Sequence, residues 1–238
     1  MIKNLCYLIV IFLVIASCTE NEEITFSSSD IIESPGIVLG EDRTDGNNGG
    51  YFWTVYKEGG QAEITFPSAN QWAGNFQITY SNNKDIVGGK GWRTGSGRTI
   101  NYNVGSAWGS RDFIGVYGWT QTPLIEYYIC EFDYGINGSD YVNSKTINGK
   151  KYDFWTNVRV NKPSILGTKT FYQYIDRYGA ASTGQNGAVN VQAHLNNWNQ
   201  NGPHKNQWGN MRNFDYQVFA LEAFNYKSGG MNATIWKN

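Results

Sequence analysis

The sequence predicts an all-β protein: a jelly-roll β-sandwich of two twisted antiparallel sheets with one α-helix. Three observations predict it. From Tyr51 onward, short runs of alternating or apolar residues recur, each closed by a Gly or Asn turn signal. Aromatic residues reach 16%, and 28 Gly stand against 5 Pro, a mix that suits twisted strands joined by tight turns. Only near residue 190 does the apolar spacing change from that of a strand to that of a helix.

The chain opens with a targeting segment. Lys3 supplies the positive end, and residues 5–15 form an apolar stretch too short for a secure membrane span. The segment ends in Ile15-Ala16-Ser17-Cys18, which resembles a bacterial lipobox. Residues 1–17 are therefore expected to be a lipoprotein signal peptide, with Cys18 the lipidated residue; an ordinary secretory signal cut nearby is the alternative. Thr19-Glu20-Asn21-Glu22-Glu23 resembles the acidic stretch that directs some lipoproteins to the cell surface. The expected location is the outer membrane, reached through the N-terminal lipid alone. Residues 18–36 are polar and aperiodic, and read as a tether.

Residues 37–238 then suit one domain with a sizeable core. Of the three cysteines, Cys6 leaves with the signal and Cys18 is lipidated, so Cys130 has no intrachain disulfide partner and reads as a core thiol. Asp42-Arg43-Thr44-Asp45-Gly46-Asn47-Asn48-Gly49-Gly50 reads as a solvated loop. Strands are predicted at 51–57, 61–66, 75–81, 85–89, 98–104, 112–119, 123–132, 151–160, 168–178, 214–226 and 230–237. Asn148-Gly149 predicts a two-residue hairpin turn. Val191, Leu195 and Trp198 at helical spacing, with Asn201-Gly202-Pro203 as a stop, predict a helix at about 190–200.

A net charge of −1 with 16% charged residues gives no basic field for nucleic acid. His194 and His204 have no metal-ligand spacing to a carboxylate or Cys, and no phosphate loop is present, so no metal or cofactor is expected. What does point to chemistry is a pair of glutamates inside strand-like runs. One run is Leu124-Ile125-Glu126-Tyr127-Tyr128-Ile129-Cys130; the other is Tyr216-Gln217-Val218-Phe219-Ala220-Leu221-Glu222-Ala223-Phe224. A carboxylate in such a run loses water at a cost unless it is paired. Alternation puts Leu124, Glu126, Tyr128, Cys130 and Phe132 on one face, and Tyr216, Val218, Ala220, Glu222, Phe224 and Tyr226 on another. Two carboxylates on a concave sheet are the equipment of a glycosidase. Separate structural or surface carboxylates remain the alternative on pattern alone.

Residues beyond the glutamates make the pattern specific. Tyr117-Gly118-Trp119 followed by Pro123-Leu124-Ile125-Glu126-Tyr127-Tyr128 resembles the nucleophile signature of glycoside hydrolase family 11, the jelly-roll endo-β-1,4-xylanases. Val87-Gly88-Gly89-Lys90-Gly91-Trp92, Pro163-Ser164-Ile165, Phe171-Tyr172-Gln173-Tyr174 and Asp215-Tyr216-Gln217 with Glu222 resemble further stretches in the same order. The resemblance implies a retaining xylanase acting on xylan, with Glu126 the nucleophile and Glu222 the acid/base, needing no cofactor and working as a monomer. It implies that Tyr56, Tyr117, Tyr128, Arg159, Pro163, Gln173 and Tyr216 contact substrate, with Pro163 in the tip of the mobile thumb hairpin. Asp85 falls where the family places Asn or Asp beside the acid/base; Asp there resembles the acid-active members. Trp92 and Trp119 could line the groove or pack in the core. The chain departs from the family at Tyr56, where many members carry Trp, and at Ala223-Phe224, where Gly-Tyr is common. An endo-β-1,4-glucanase and a non-catalytic glycan-binding surface protein are the rival readings.

Overall fold

The computed structural model describes residues 37–237 except 41, 67–72 and 134. The expected signal peptide, Cys18 and the tether lie outside the described residues.

In chain order the elements are β1 (Ile37–Val38), β2 (Asp42–Asn48), β3 (Tyr51–Glu58), β4 (Gln61–Thr65), β5 (Asn75–Trp92), β6 (Thr99–Gly109), β7 (Phe113–Thr122) and β8 (Leu124–Asp133). Then come β9 (Asp140–Ile147), β10 (Lys150–Lys162), β11 (Lys169–Arg177), β12 (Asn186–Asn190), α1 (Val191–Asn201), the single helical turn α2 (Lys205–Trp208) and β13 (Arg212–Trp236). The all-β expectation holds, and all eleven predicted runs are strands. They make nine strands, because 75–81 with 85–89 form one continuous β5, and 214–226 with 230–237 one continuous β13.

Those two long strands build the two layers. The first part of β5 pairs with β4 and with the last part of β13, which also pairs with β6; β6 in turn carries β12. The second part of β5 pairs with β3 and with the first part of β13, which continues through β7, β8, β11, β10 and β9. The strands bend between layers where Asn82, Asn225 and Tyr226 take positive φ of 53°, 63° and 61°. Asn tolerates that region because its short polar side chain bonds locally, so Asn82-Asn83 kinks a strand rather than ending one. All pairings are antiparallel except β8 with β11.

Three segments correct the sequence reading. The predicted loop at 42–50 is strand β2, followed by a Gly49-Gly50 turn. It lies on the outside of β3 as an edge strand, ordered by its ladder with β3 even though the Asp/Asn-rich residues give no apolar period. Polar β9 and β12 were hidden in the same way. By contrast, Asn148 (φ 50°) and Gly149 (φ 79°) form the predicted hairpin turn between β9 and β10.

The main core lies between the layers and includes Ile64, Ile78, Val104, Ile114, Tyr127, Phe219 and Met231. Helix α1 adds Val191, Leu195 and Trp198; the Asn190 side chain caps it by accepting from the Ala193 N–H at 3.2 Å. Glu131 of β8 is fully buried in this core, accepting from the Tyr102 hydroxyl at 2.5 Å, the Tyr152 hydroxyl and the Lys150 ammonium. A second apolar cluster covers the other, concave face of the larger layer: Tyr117, Trp119, Tyr128, Cys130, Phe171, Tyr216, Val218 and Ala220. Phe132, predicted to share the face of Tyr128, instead joins the main core, because a bulge opposite Ile114 and Gly115 shifts the register between Cys130 and Phe132.

Candidate active site

The concave face holds a cleft of about 990 Å³. Strand register explains its lining. Alternation along β8 turns Glu126 and Tyr128 into the cleft, and the antiparallel β7 sets Trp119 opposite Glu126 and Tyr117 opposite Tyr128. The parallel β11 sets Gln173 beside Glu126. On the other side, β13 sets Glu222 next to Val87 of β5, which neighbours Tyr56 of β3; the next row is Phe224, Asp85 and Glu58. Close approach of these strands requires glycine at two points. A Cβ on Gly89 would lie 1.9 Å from the Phe219 carbonyl, and one on Gly118 would lie 2.4 Å from the Tyr127 hydroxyl.

Each of Glu126 and Glu222 is only 8% exposed. Glu126 Oε1 accepts from the Tyr117 hydroxyl at 2.7 Å, and Oε2 accepts from Gln173 Nε2 at 2.6 Å. Trp119 Nε1 donates to the Tyr117 hydroxyl at 2.9 Å, orienting the proton of Tyr117 toward the carboxylate. The Tyr128 hydroxyl lies within reach of both Glu126 and Glu222. Burial raises the Glu126 pKa, while Tyr117, Gln173, Tyr128 and the Arg159 charge oppose the rise. Glu222 has no such set of donors. Burial pushes its carboxyl well above the ordinary range, and the charges of Asp85, Glu126 and Asp112 push it further. Asp85 is pushed up to about 7, by burial first and then by Glu58 and Glu126. Glu222 Oε2 and Asp85 Oδ1 are both buried without a hydrogen-bond partner in the protein.

Every predicted site residue of the domain lines this one cleft: Tyr56, Asp85, Tyr117, Glu126, Tyr128, Arg159, Pro163, Gln173, Tyr216 and Glu222. Pro163 begins the 163–168 connection between β10 and β11, whose turn is closed by the Ser164 hydroxyl donating to the Gly167 carbonyl at 2.6 Å. Trp119 also lines the cleft, its ring tilted against Phe171 with centroids 4.9 Å apart, whereas Trp92 packs on the main core beside Tyr51 and Arg98. Sequence reasoning missed Phe171, Arg43, Glu58 and Lys84 as lining residues. The same alternation that places Tyr56 on the concave face also places Glu58 there, so that signal was present. Arg43 was hidden by reading β2 as a loop; its guanidinium sits 5.6 Å from the centre of the Tyr216 ring. His194 and His204 are buried away from the cleft lining, paired with Asp176 and Tyr174.

A long open cleft walled by tyrosines, with two buried carboxyls held at different proton affinities, defines a hydrolase of sugar chains. The comparisons agree. The chain matches the family Glycosyl hydrolases family 11 over residues 48–234, and it belongs to that family. It is 36% identical over 215 residues to Ethylene-inducing xylanase 1 of Verticillium dahliae, covering 85% of this chain and 91% of that protein. It is 34% identical over 220 residues to Endo-1,4-beta-xylanase 3 of Pyricularia oryzae, covering 88% of each. It is 37% identical over 191 residues to Endo-1,4-beta-xylanase 2 of Humicola insolens, covering 78% of each.

These relatives correct one expectation. They come from fungi, which have no bacterial outer membrane, and this overturns the placement of the chain as an outer-membrane lipoprotein. The four-residue lipobox match that suggested it lies outside the described residues.

Proposed function

We propose that the chain is a retaining endo-β-1,4-xylanase in which Glu126 is the nucleophile and Glu222 the acid/base. Family membership and the xylanase relatives support the substrate. The observation that carries the assignment of roles is the asymmetry of the two carboxyls. Glu126 is held by fixed donors that stabilise its anion, whereas Glu222 is buried beside Asp85 and Glu126, which favours its acid form. At mildly acidic pH Glu126 is the group to carry charge and Glu222 the group to carry a proton.

Glu126 then attacks the anomeric carbon while Glu222 protonates the departing glycosidic oxygen. The ester formed on Glu126 has no charge, so one cause of the high Glu222 pKa disappears and Glu222 can take a proton from the incoming water. Water attacks from the side the leaving group vacated and gives net retention, which needs carboxyls about 5–5.5 Å apart. Tyr117 and Gln173 keep Glu126 aimed, and the tyrosines and Phe171 offer apolar faces to the sugar rings.

The test is reducing-end release from β-1,4-xylan and from carboxymethylcellulose by the full chain, with NMR of the first product anomer. Xylan turnover giving the β-anomer, and loss of at least about a thousandfold in Glu126→Ala and Glu222→Ala, is expected. Preference for the cellulose derivative would move the protein to the glucanases, and α-anomeric product would overturn double displacement. Glycan binding without turnover by a folded protein would leave only a binding role.

A further inference from the structure

We propose that Glu58 is a positioning residue of this cleft: it fixes the Tyr56 ring at its sugar-contacting place and ties that ring to the Asp85–Glu222 pair. The inference rests on the functional reading above.

The geometry that supports it is local to this chain. Tyr56 and Glu58 are two apart on β3 and so share the concave face. The Tyr56 hydroxyl donates to Glu58 Oε1 at 2.5 Å. Lys84 of β5 donates to the other carboxylate oxygen, Oε2, also at 2.5 Å. Both oxygens are therefore engaged, and the carboxylate cannot turn away without losing a charge-assisted bond. A bond at the far end of a tyrosine ring holds its χ1 torsion, which decides where the ring sits. A tryptophan at this place would need no such tether, having a larger face; the smaller phenol acquires one through Glu58.

The same residue reaches the proton machinery. Glu58 and Asp85 face each other directly across β3 and β5, and the next strand places Phe224 beside Asp85, one row from Glu222. Glu58 is held ionised by Lys84 and Tyr56. Its charge is the largest electrostatic contribution to the elevation of Asp85, ahead of Glu126, while Arg159 of β10 acts the other way. From β13, Glu222 faces Asp85, and from β2, Asp42 adds negative charge near Tyr56. Lys84 is the neighbouring cation on β5, and its bond to Glu58, with the Glu58 charge, raises its affinity for a proton. Glu58 and Lys84 thus form an opposed pair: removing the first leaves excess positive charge near Asp85, removing the second leaves excess negative charge.

Two separable results are expected. Glu58→Ala and Tyr56→Phe each raise KM for xylohexaose about threefold to tenfold, the worth of one hydrogen bond, with kcat within about twofold. The double variant is no worse than either single one, because both remove the same bond. Glu58→Gln keeps an acceptor for Tyr56 and so keeps KM, yet its lost charge moves the alkaline limb of the pH–rate profile acidward by about half a pH unit. Lys84→Met moves that limb the opposite way. Both displacements shrink in 1 M salt, where screening acts within about 3 Å. Carbon-13 NMR titration of the Asp85 carboxyl in the substrate-free protein should follow the same two directions. Wild-type KM in Glu58→Ala, or multiplied effects in the double variant, would overturn the tether. An Asp85 titration that is unmoved, or moved alike by Glu58→Gln and Lys84→Met, would overturn the link to the pair. Absence of xylan turnover in the parent protein would sink the functional reading instead, and the NMR titration would still decide this one.

Discussion

Truncating Glu131 to Ala tests the account of the core without touching the cleft. The side chain is fully buried and accepts from Tyr102, Tyr152 and Lys150. Its loss orphans two phenolic hydroxyls, at about 1–3 kcal/mol each. It also strands the Lys150 ammonium, where breaking a buried pair costs about 3–5 kcal/mol. That last cost is softened, because Lys150 keeps 20% side-chain exposure and a 3.2 Å bond to the Ala188 carbonyl. The net expectation is about 4–7 kcal/mol. For a domain of about 200 residues, each kcal/mol moves Tm by about 2–4 °C, so the midpoint should fall by about 10–25 °C. Glu131→Gln keeps the volume and one acceptor and should lose about half as much. Urea denaturation followed by near-UV circular dichroism gives the free-energy loss of both variants, and a thermal melt gives the midpoints. A Glu131→Ala variant within about 1 kcal/mol of the parent would refute the claim that this carboxylate organises the core around it.

Three other variants give expected outcomes. Asp85→Asn cannot lose a proton, so the alkaline limb passes to Glu222 alone, which burial and Glu126 still hold high, and the pH optimum moves upward; an unchanged profile would remove Asp85 from the proton machinery. The same change alters stability: because folding raises Asp85 from 3.8 to about 7, its contribution is complete below about pH 4 and fades as pH climbs through 7, and Asp85→Asn should flatten that decline in Tm. Tyr117→Phe deletes a donor that lowers the Glu126 pKa, so the acid limb should move up by about 0.5–1 pH unit, read from kcat/KM on xylan; a limb that stays put would deny Tyr117 that role. Gly89→Ala would place a methyl 1.9 Å from the Phe219 carbonyl and force β5 from β13, so expression should give no cooperatively melting protein; a wild-type Tm would contradict the close approach.

The catalytic face was legible because it obeys simple rules. Glu126 and Glu222 sit in apolar strands whose alternation survives into the structure; Asp85, Tyr56 and Gln173 follow from the family resemblance, and the register of neighbouring strands brings them to the same cleft. What stayed hidden had a physical reason. Strands β2, β9 and β12 are polar, and edge pairing supplies their order through the backbone, which leaves no apolar period to read. The Phe132 face was misassigned because a bulge adds a residue that alternation cannot foresee. Splitting β5 at Asn82-Asn83 mistook a bend for an end, since the same positive φ serves a turn and a kink. Glu58 was legible by alternation but lay outside the motifs, and only its bonds to Tyr56 and Lys84 distinguish it from an ordinary solvated carboxylate.

The two long strands also decide how the molecule can flex. Because β5 and β13 run through both layers without stopping, covalent backbone joins one layer to the other at the Asn82 and Asn225 bends. Sheets connected only by packed side chains could slip past each other like plates. Here the joint is a pair of hydrogen-bonded strands shared by both layers. On the far flank, β11, β10 and β9 follow β8 in series. The cleft therefore has one wall on the strands that span both layers and their neighbour β3, bearing Glu222, Asp85, Glu58 and Tyr56, and another on the serial flank, with Pro163 at its end. A ligand in the cleft would border strands that cross both layers on one side and strands paired in series on the other.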